Sequence, residues 1–299
     1  MVKNQLSDLK RQAWKPIIID GESTLDASKT SGKVWFFNGE TWPVCHNCQN
    51  PMRLVLQLNL HELPGSLEEK FGSGLLQLFC CESNFEIKTG SFTLREPMGG
   101  YSDIVISVTA YEDEFGETTV IETSELYEEE SELILGNPEP EAIIEELIDT
   151  CWMQACKAFS TSQVIRIIQP KGEVNHVEVP DMEKTFPTKL IVGWEEIEDY
   201  PHPDEVEQYG TLFNDRKKVW SEYILLNNLG DKLAGWPCWA QDIEYPKCPV
   251  CNQKMDQFIF QLEECETINF PYPHSGLGVG YIVQCSTHKK QVAFFCQFT

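Results

Sequence analysis

Two short stretches of the chain carry cysteines at a spacing typical of metal or redox sites. Residues 42–52 read WPVCHNCQNPM and residues 245–255 read YPKCPVCNQKM, and we call them the first and second cassettes. Both run aromatic, Pro, any residue, Cys, two residues, Cys, three residues and Met. In a reducing compartment, such a Cys-x-x-Cys pair indicates metal binding or thiol redox chemistry before a disulfide. A thioredoxin-like redox site would need a βαβ context that neither cassette has, which favours metal binding.

The second cassette is followed by a second pair of possible ligands. Cys248 and Cys251 lie in the cassette, and Cys285 and His288 follow in the segment QCSTH. Two such pairs supply the four ligands of a closed tetrahedral zinc site. The sequence therefore predicts a structural zinc centre in this half. The alternative is that these side chains are simply buried thiols.

The first cassette lacks an equally complete set. Cys45 and Cys48 match the first pair and Cys81 falls at the third ligand position, but Asn84 stands where the histidine would be. Adjacent cysteines rarely ligate one tetrahedral ion together, because the backbone would have to distort. Nearby side chains that could complete the set are Cys80, His46 and His61. A second zinc site and an eroded site held by packing both remain open.

The residues after each cassette also match, which indicates an internal repeat. Met52 precedes an apolar strand containing Gln57, a turn FGSG and the strand LLQLFCC. Met255 precedes a strand containing Gln261, a turn SGLGVG and the strand YIVQC. Leucines alternate along the first of these strands, which is the period of a half-buried strand. Each half is therefore predicted to be a cysteine turn, a strand, a glycine turn and a strand that ends at cysteine.

The whole chain predicts an α+β fold that is β-rich and dominated by antiparallel sheets. Further strands are predicted at 33–37, 101–111, 162–170, 188–197, 257–263, 278–285 and 291–298. Helices are predicted at 3–14, 140–158 and 203–228. We divide the chain into an N-terminal helix and loop (1–32) and a duplicated domain with halves of about 33–160 and 161–299.

The charge of the chain restricts its partners. The 299 residues include 23 Lys and Arg against 47 Asp and Glu, a formal net charge of −24. Such a chain repels phosphate backbones, so direct nucleic-acid binding is not expected. No Lys or Arg occurs between Arg95 and Lys157, a stretch with seventeen acidic residues. A basic protein partner fits this charge because opposite charges steer encounter; the alternative is that acidity only aids solubility.

The sequence also bears on location. No apolar run approaches the roughly 18 residues that a membrane helix needs. The N-terminus lacks the apolar core of a signal peptide. We therefore expect a cytoplasmic protein without membrane association, and the sequence does not set its oligomeric state.

Familiar catalytic arrangements are absent from the sequence. There is no Gly-x-Ser-x-Gly, no phosphate-binding loop ending in Lys-Ser/Thr and no His-Glu-x-x-His. His202 stands among acids in DYPHPDE (199–205), which is more typical of a capped loop before a helix than of an acid–base cluster. A non-enzymatic binding protein is therefore favoured. The alternative is an enzyme with a site in the cleft between the halves, lined by Trp236, Gln241 and Asp242.

Six segments in a fixed order carry a family resemblance. They are GETWPVC (39–45), LVLQLNLHELP (54–64), GSGLLQLFCC (72–81), IVGWEEIEDYPHPDE (191–205), DKLAGWPCWAQD (231–242) and GLGVGYIVQCSTHKKQVAFFCQ (276–297). Together they cover roughly residues 33–298 and resemble the YwqG-like family, a bacterial family of unknown function.

The resemblance implies a β-rich, internally duplicated α+β fold. It also implies a distant similarity to the eukaryotic programmed-cell-death-2-like proteins, which look like zinc-bearing chaperones or adaptors for a ribosomal protein. The residues that match those proteins are Cys45, Cys48, Met52 and Gln57. The resulting hypothesis is a zinc-stabilised module that acts as a chaperone, adaptor or neutraliser of a basic protein.

Overall fold

A computed structural model describes the greater part of the chain. The described residues are 9–22, 24–45, 50–65, 67–81, 90–94, 104–113, 116–123, 156–160, 162–182, 187–208, 217, 220–221, 223, 230–263 and 278–298. The helix predicted at 140–158 lies almost entirely outside these residues, as does most of the helix predicted at 203–228. The possible ligands His46 and Cys48 and the position of Asn84 also lie outside them.

Ten of the described strands form one large sheet. In chain order they are β1 (Arg11–Asp20), β2 (Lys29–Thr30), β3 (Arg53–Asn59), β4 (Leu75–Cys80), β8 (Gln163–Ile168), β9 (Lys189–Asp199), β10 (Lys232–Ala234), β11 (Gln257–Glu263), β12 (Gly278–Gln284) and β13 (Val292–Phe298). A separate sheet contains β5 (Gly90–Leu94), β6 (Ile104–Asp113) and β7 (Gly116–Thr123). Every strand pairing in the described residues is antiparallel, so the prediction of mainly antiparallel sheets is confirmed.

The described helical segments are short. They are α1 (Leu67–Phe71), α2 (Pro203–Gln208) and a 3-10 turn (Leu60–Glu62). The helical share that an α+β class implies is therefore small in this part of the chain. None of the described helices has the length and apolar character needed to cross a membrane.

The large sheet has matching elements on either side of its central pair. Its strand order is β13-β12-β11-β10-β1-β9-β2-β3-β4-β8. The strands that follow the second cassette therefore lie on one side of β1 and β9, and those that follow the first lie on the other. The edge strands approach each other, since Gln163 Nε2 in β8 donates to Phe294 O in β13 at 3.0 Å. The sheet is thus nearly closed.

β3 and β11 each have a bulge near their start, and the side chains before and after the bulge pack in different hydrophobic clusters. The register shifts between Leu54 and Leu56 in β3, and between Phe258 and Phe260 in β11. A bulge adds one residue to one strand and so changes the face that later side chains occupy. Leu54 and Phe258 pack in flanking clusters beneath the cassettes, whereas Leu56 and Phe260 pack in the interior core.

The strand predicted at residues 33–37 is wrong. Only Phe37 makes a bridge, to Val174, and the four residues before it form no strand. Val34 and Phe36 are buried with Trp42 in the flanking cluster of the first half. Apolar residues alternate here because one side of the segment covers the sheet, so the alternation reports burial on that side and not strand pairing.

The helix predicted at residues 3–14 is wrong where it is described, because residues 11–14 belong to β1. Trp14 pairs with Leu233 of β10 on one side and with Glu196 of β9 on the other. β1 is thus hydrogen-bonded along both edges in the middle of the sheet. The stabilisation from strand pairing outweighs the weak helical preference that the spacing of a few apolar residues indicates.

Candidate metal centre

The second cassette forms a tight knuckle held by backbone hydrogen bonds. Cys248 N–H donates to Gln253 O at 2.8 Å, and Met255 N–H donates to Pro246 O at 2.9 Å. Asn252 adopts a left-handed conformation with φ of 57°, and its N–H donates to Cys248 O at 2.8 Å. Asn tolerates this conformation better than most residues. The sequence of the turn therefore brings the two cysteines of the pair back toward each other.

The other two predicted ligands lie on the turn between β12 and β13. Cys285 N–H donates to Gln291 O at 3.0 Å, and Gln291 N–H donates to His288 O at 2.7 Å. His288 N–H also donates to Cys285 Sγ at 3.3 Å. A backbone donor aimed at the sulfur fixes the direction of the Cys285 side chain. The turn therefore holds a thiol and an imidazole side by side.

The four predicted ligands converge in space. The ligand atoms of Cys248, Cys251, Cys285 and His288 all lie within 4.8 Å of one another. His288 Nδ1 is 3.8 Å from Cys248 Sγ and 3.7 Å from Cys285 Sγ, and the sulfurs of Cys251 and Cys285 are 3.7 Å apart. Bonds of about 2.3 Å to sulfur and about 2.1 Å to nitrogen give tetrahedral edges of about 3.6–3.8 Å. The group could therefore hold a metal ion.

Burial and hydrogen bonding set the acidity of the knuckle thiols. Burial of Cys248 opposes its ionisation, but the N–H groups of Cys251 and Val250 and the nearby thiols outweigh it and lower the pKa to about 7. The Gln253 N–H favours the thiolate of Cys251, yet burial and the neighbouring thiols raise its pKa. Several thiolates side by side repel one another, and a divalent cation relieves that repulsion.

An apolar cluster fastens the knuckle to the sheet. Met255 and Phe258 are buried there together with Tyr281 and Phe295. The ring of Trp239 covers them, with its centre 4.9 Å from that of Tyr281 and 6.2 Å from that of Phe295. Rigid packing around ligands keeps them at the distances that a metal requires.

The described residues of the first cassette make two of the same backbone hydrogen bonds. Cys45 N–H donates to Asn50 O at 2.8 Å, and Met52 N–H donates to Pro43 O at 2.9 Å. Cys45 is buried, and its Sγ lies 3.9 Å from the hydroxyl oxygen of Ser162. In the described part of the chain, no group of three possible ligands forms at this knuckle.

The other cysteines and histidines proposed for the first site are spread apart. Cys81 packs beside the flanking cluster that contains Cys45, and its N–H donates to Ser162 O at 2.9 Å. Cys80 packs instead against the interior core. His61 is exposed on the 3-10 turn. A metal in the first half stays a prediction, because the remaining candidates lie outside the described residues.

The proposed lining residues Trp236, Gln241 and Asp242 fall in two places. Trp236 is buried, its Nε1 donates to Leu9 O at 2.8 Å, and the Arg11 guanidinium carbon lies 3.3 Å from the centre of its ring system. Gln241 and Asp242 are exposed and line an open depression of about 600 Å³. Its other lining residues are Ile243, Glu244 and Gln297. The structure thus brings Gln241 and Asp242 together but not Trp236.

Sequence reasoning missed a buried polar cluster beneath α2. Glu205 is 3% exposed and accepts a hydrogen bond from the hydroxyl of Tyr245, the aromatic residue of the second cassette. Burial raises the pKa of Glu205. Within the described residues, Glu205 Oε2, the Tyr223 hydroxyl and the Trp239 indole N–H lack a hydrogen-bond partner of good geometry. The sequence shows only the Pro-Asp-Glu start of the helix, which does not reveal its burial.

A buried ion pair stands beside this cluster. Lys232 Nζ lies 3.1 Å from both carboxylate oxygens of Asp199, and Asp199 Oδ2 accepts from Trp236 N–H at 2.7 Å. Gly235 has φ of 79°, and a side chain there would lie 2.7 Å from Ala13 Cβ. The positive φ and the crowding by the side chains of Ala13 and Asp199 thus explain the glycine before Trp236.

Fold and site together define an antiparallel β-sheet protein whose described residues contain one Cys3His cluster able to hold a metal ion. A family model described as a domain of unknown function (DUF1963) matches residues 28–290, and the chain belongs to this family. The match includes both cassettes and all four clustered ligands.

A curated relative is the uncharacterized protein YpfL of Salmonella typhimurium (strain LT2), which is 31% identical over 114 residues. The alignment covers 38% of this chain and 23% of YpfL, so the two chains are similar over a minority of each.

Proposed function

We propose that the chain is a non-enzymatic, zinc-stabilised protein-binding module. The observation that carries the proposal is the convergence of Cys248, Cys251, Cys285 and His288, whose ligand atoms all lie within 4.8 Å of one another. Thiolates and imidazole are typical zinc ligands, whereas Mg²⁺ and Ca²⁺ prefer oxygen. Four protein ligands leave no open coordination position, so the ion would support the fold and not a reaction.

Metal analysis of the purified protein tests this proposal. We expect about one zinc per chain in the native protein and none in Cys248→Ser. The matched control is Cys296→Ser, which removes a thiol that packs against the interior core. A native protein without zinc would refute the proposal. A ratio near two would assign a metal to the first half as well, and Cys45→Ser should then remove one ion.

The proposed partner is a basic protein, in keeping with the net charge of −24. In the described residues, exposed carboxylates follow one another along β9 at Glu195, Glu196 and Glu198. Binding that depends on such charges weakens as salt screens them. We expect capture of basic proteins from a lysate at about 50 mM salt and release at about 500 mM. Capture of no basic protein, or binding that ignores salt, would count against this partner.

The resemblance to the YwqG-like and programmed-cell-death-2-like proteins sharpens the proposal. It makes a ribosomal protein the first basic partner to test and a chaperone or adaptor the first role. Co-purification of one ribosomal protein at equal stoichiometry would support this role. Purified ribosomal proteins that bind no better than an unrelated lysine-rich protein would contradict it.

We infer as well that the two halves arose by duplication, as the doubled cassette indicates. Support comes from equivalent positions on the two sides of the sheet that share backbone conformation or strand pairing. On each side of the central strand pair, two adjacent residues have positive φ, and one lysine pairs with a glutamine of the strand after the cassette. The equivalent residues are Ser31 and Ala234, Gly32 and Gly235, Lys29 and Lys232, and Gln57 and Gln261.

An enzyme remains the second candidate because of the cluster beneath α2. A buried acid with a raised pKa, such as Glu205, is typical of active sites as well as of structural networks. Trp239 and Tyr223 are the other polar groups that lie beside Glu205 in this cluster. Turnover in a metabolite extract that is lost in Glu205→Gln, with the metal content unchanged, would favour the enzyme. If neither the native protein nor Glu205→Gln shows turnover, the binding module stays the favoured function.

A further inference from the structure

The metal centre lies on a basic part of this acidic protein. The second cassette and the turn 285–291 together contain four lysines and no acidic residue. The lysines are Lys247, Lys254, Lys289 and Lys290. The whole chain has only 23 basic residues and a net charge of −24, so these four cations do not follow from its composition. Acidic side chains resume just outside, at Glu244 and Asp256.

Two of the lysines are held in place by contacts of their own. Lys254 Nζ lies 4.4 Å from the centre of the Tyr245 ring, a cation–π contact. Lys289 Nζ donates to Gln257 Oε1 at 2.9 Å and to the backbone oxygen of Lys70. Lys70 thereby joins the same face from α1. We call Lys70, Lys247, Lys254, Lys289 and Lys290 the lysine face.

The remaining two of these four lysines are available to a binding partner. Lys247 and Lys290 are exposed, and no ion pair in the described part of the chain involves either of them. Between the first two metal ligands, Val250 is 59% exposed. It offers an apolar contact beside these cations to a partner that carries both acidic and apolar side chains.

Neutralising the metal centre does not account for so many lysines. Three thiolates, one neutral imidazole and a divalent ion carry a net charge of minus one. One neighbouring cation would balance that charge. The excess positive charge therefore remains available to a molecule outside the chain.

We propose that the lysine face and Val250 dock an acidic peptide segment of a partner protein. Charge complementarity selects an acidic occupant. The rest of the chain disfavours nucleic acid, because a phosphate polymer extends past the face onto negative surface, whereas a short acidic segment can end there. Together with the proposed binding of a basic protein, this second surface would make the module an adaptor between two partners, but it does not depend on that function.

Binding of a defined peptide to the full zinc-loaded chain tests the proposal. The probe is a fluorescent peptide of alternating Glu and Leu, followed by anisotropy at low salt. The variant Lys247→Gln/Lys290→Gln should weaken binding about tenfold, and Val250→Ser should weaken it about threefold. The matched control is Lys33→Gln/Lys171→Gln, which removes the same charge from exposed positions away from the second cassette and should change binding less than twofold.

Each outcome decides the proposal. An equal loss in the two double variants would show an unspecific charge effect and overturn it, as would no binding by the native protein. Tighter binding of a single-stranded oligonucleotide of equal charge would assign the face to nucleic acid instead. Binding of a lysine-rich peptide, measured in parallel, tests the basic-partner function separately, so failure of one is distinguishable from failure of the other.

Discussion

The two cassettes share two backbone hydrogen bonds in their described residues but have different surroundings. In each, the N–H of the first cysteine donates at 2.8 Å and the N–H of the methionine donates at 2.9 Å, to carbonyls at equivalent positions. In the second half, a neighbouring turn adds Cys285 and His288 to the knuckle. In the first half, the hydroxyl of Ser162 lies near Cys45. The comparison teaches that hydrogen bonds and packing form the knuckle, while the second pair of possible ligands comes from a separate turn.

Removal of the metal should have the largest effect and should act through the second cassette. A strong chelator should lower the melting temperature of the native protein by at least about 10 °C, because structural zinc contributes several kcal/mol to folding. Thermal unfolding followed by circular dichroism measures this shift. Cys248→Ser should begin destabilised and ignore the chelator, whereas Cys45→Ser should keep the chelator response. An equal melting temperature of the native protein with and without chelator would contradict the inference that a metal stabilises the second cassette.

The two equivalent glycines should differ in their tolerance of a side chain. Gly235→Ala should cost about 3 kcal/mol or more, since the new Cβ would lie 2.7 Å from Ala13 Cβ in the central strand and close to the Asp199 carboxylate. Gly32→Ala should cost about 1–2 kcal/mol, because its closest neighbour is the Thr188 hydroxyl, 2.7 Å away, which can rotate. Urea unfolding measures both. A larger loss of stability in Gly32→Ala than in Gly235→Ala would contradict the inference that Gly235 is the more crowded position.

The two equivalent glutamines should, in contrast, contribute alike. Gln57 and Gln261 are fully buried, and each bonds two backbone groups outside its own strand. The partners are the backbones of Leu25 and Ala27 in the first half and of Gly230 and Cys238 in the second. Leucine at either position should cost about 2–4 kcal/mol, because buried polar groups lose their partners. Chemical unfolding of the two variants should agree within about 1 kcal/mol; a wide gap would weaken the inferred duplication.

The equivalent lysines, Lys29 and Lys232, should give the smallest difference. It lies in how the free energy of unfolding depends on pH. Burial lowers the pKa of Lys29 from 10.5 to about 8, whereas Lys232 is paired with Asp199. Between about pH 8 and 10.5 the unfolded chain therefore binds a proton that the folded chain does not. The free energy of unfolding should rise with pH in this window by at most about 1.4 kcal/mol per pH unit.

Lys29→Met should remove that rise, and the comparison with the native protein cancels the thiols that titrate in the same window. Unfolding curves collected at several pH values measure the slope. An unchanged slope in the variant would mean that Lys29 stays charged in the folded protein.

Local features were predictable from the sequence. The spacing of Cys248, Cys251, Cys285 and His288 predicted a ligand group that the structure brings together. Alternating leucines predicted β3, and its position after the first cassette is confirmed. Both predictions succeeded because the relevant contacts join residues near in the chain or on one hairpin.

Other features were not predictable because distant residues create them. The central place of β1 depends on its pairing with β9 and β10, far along the chain. The burial of Glu205 depends on Tyr245, forty residues later. The strand predicted at 33–37 failed for a related reason: a segment that covers a sheet has the same apolar alternation as a strand within it.

The sequence by itself determined the doubled cassette, the four possible metal ligands of the second half and the negative charge. Only the tertiary structure decided that the sheet nearly closes, that those four side chains converge, and that the described residues of the first half form no matching cluster. The physical reason is the distance along the chain over which each interaction acts. Ligand spacing and turn residues act within a few positions of the chain, whereas strand order and surface charge depend on which distant segments fold together.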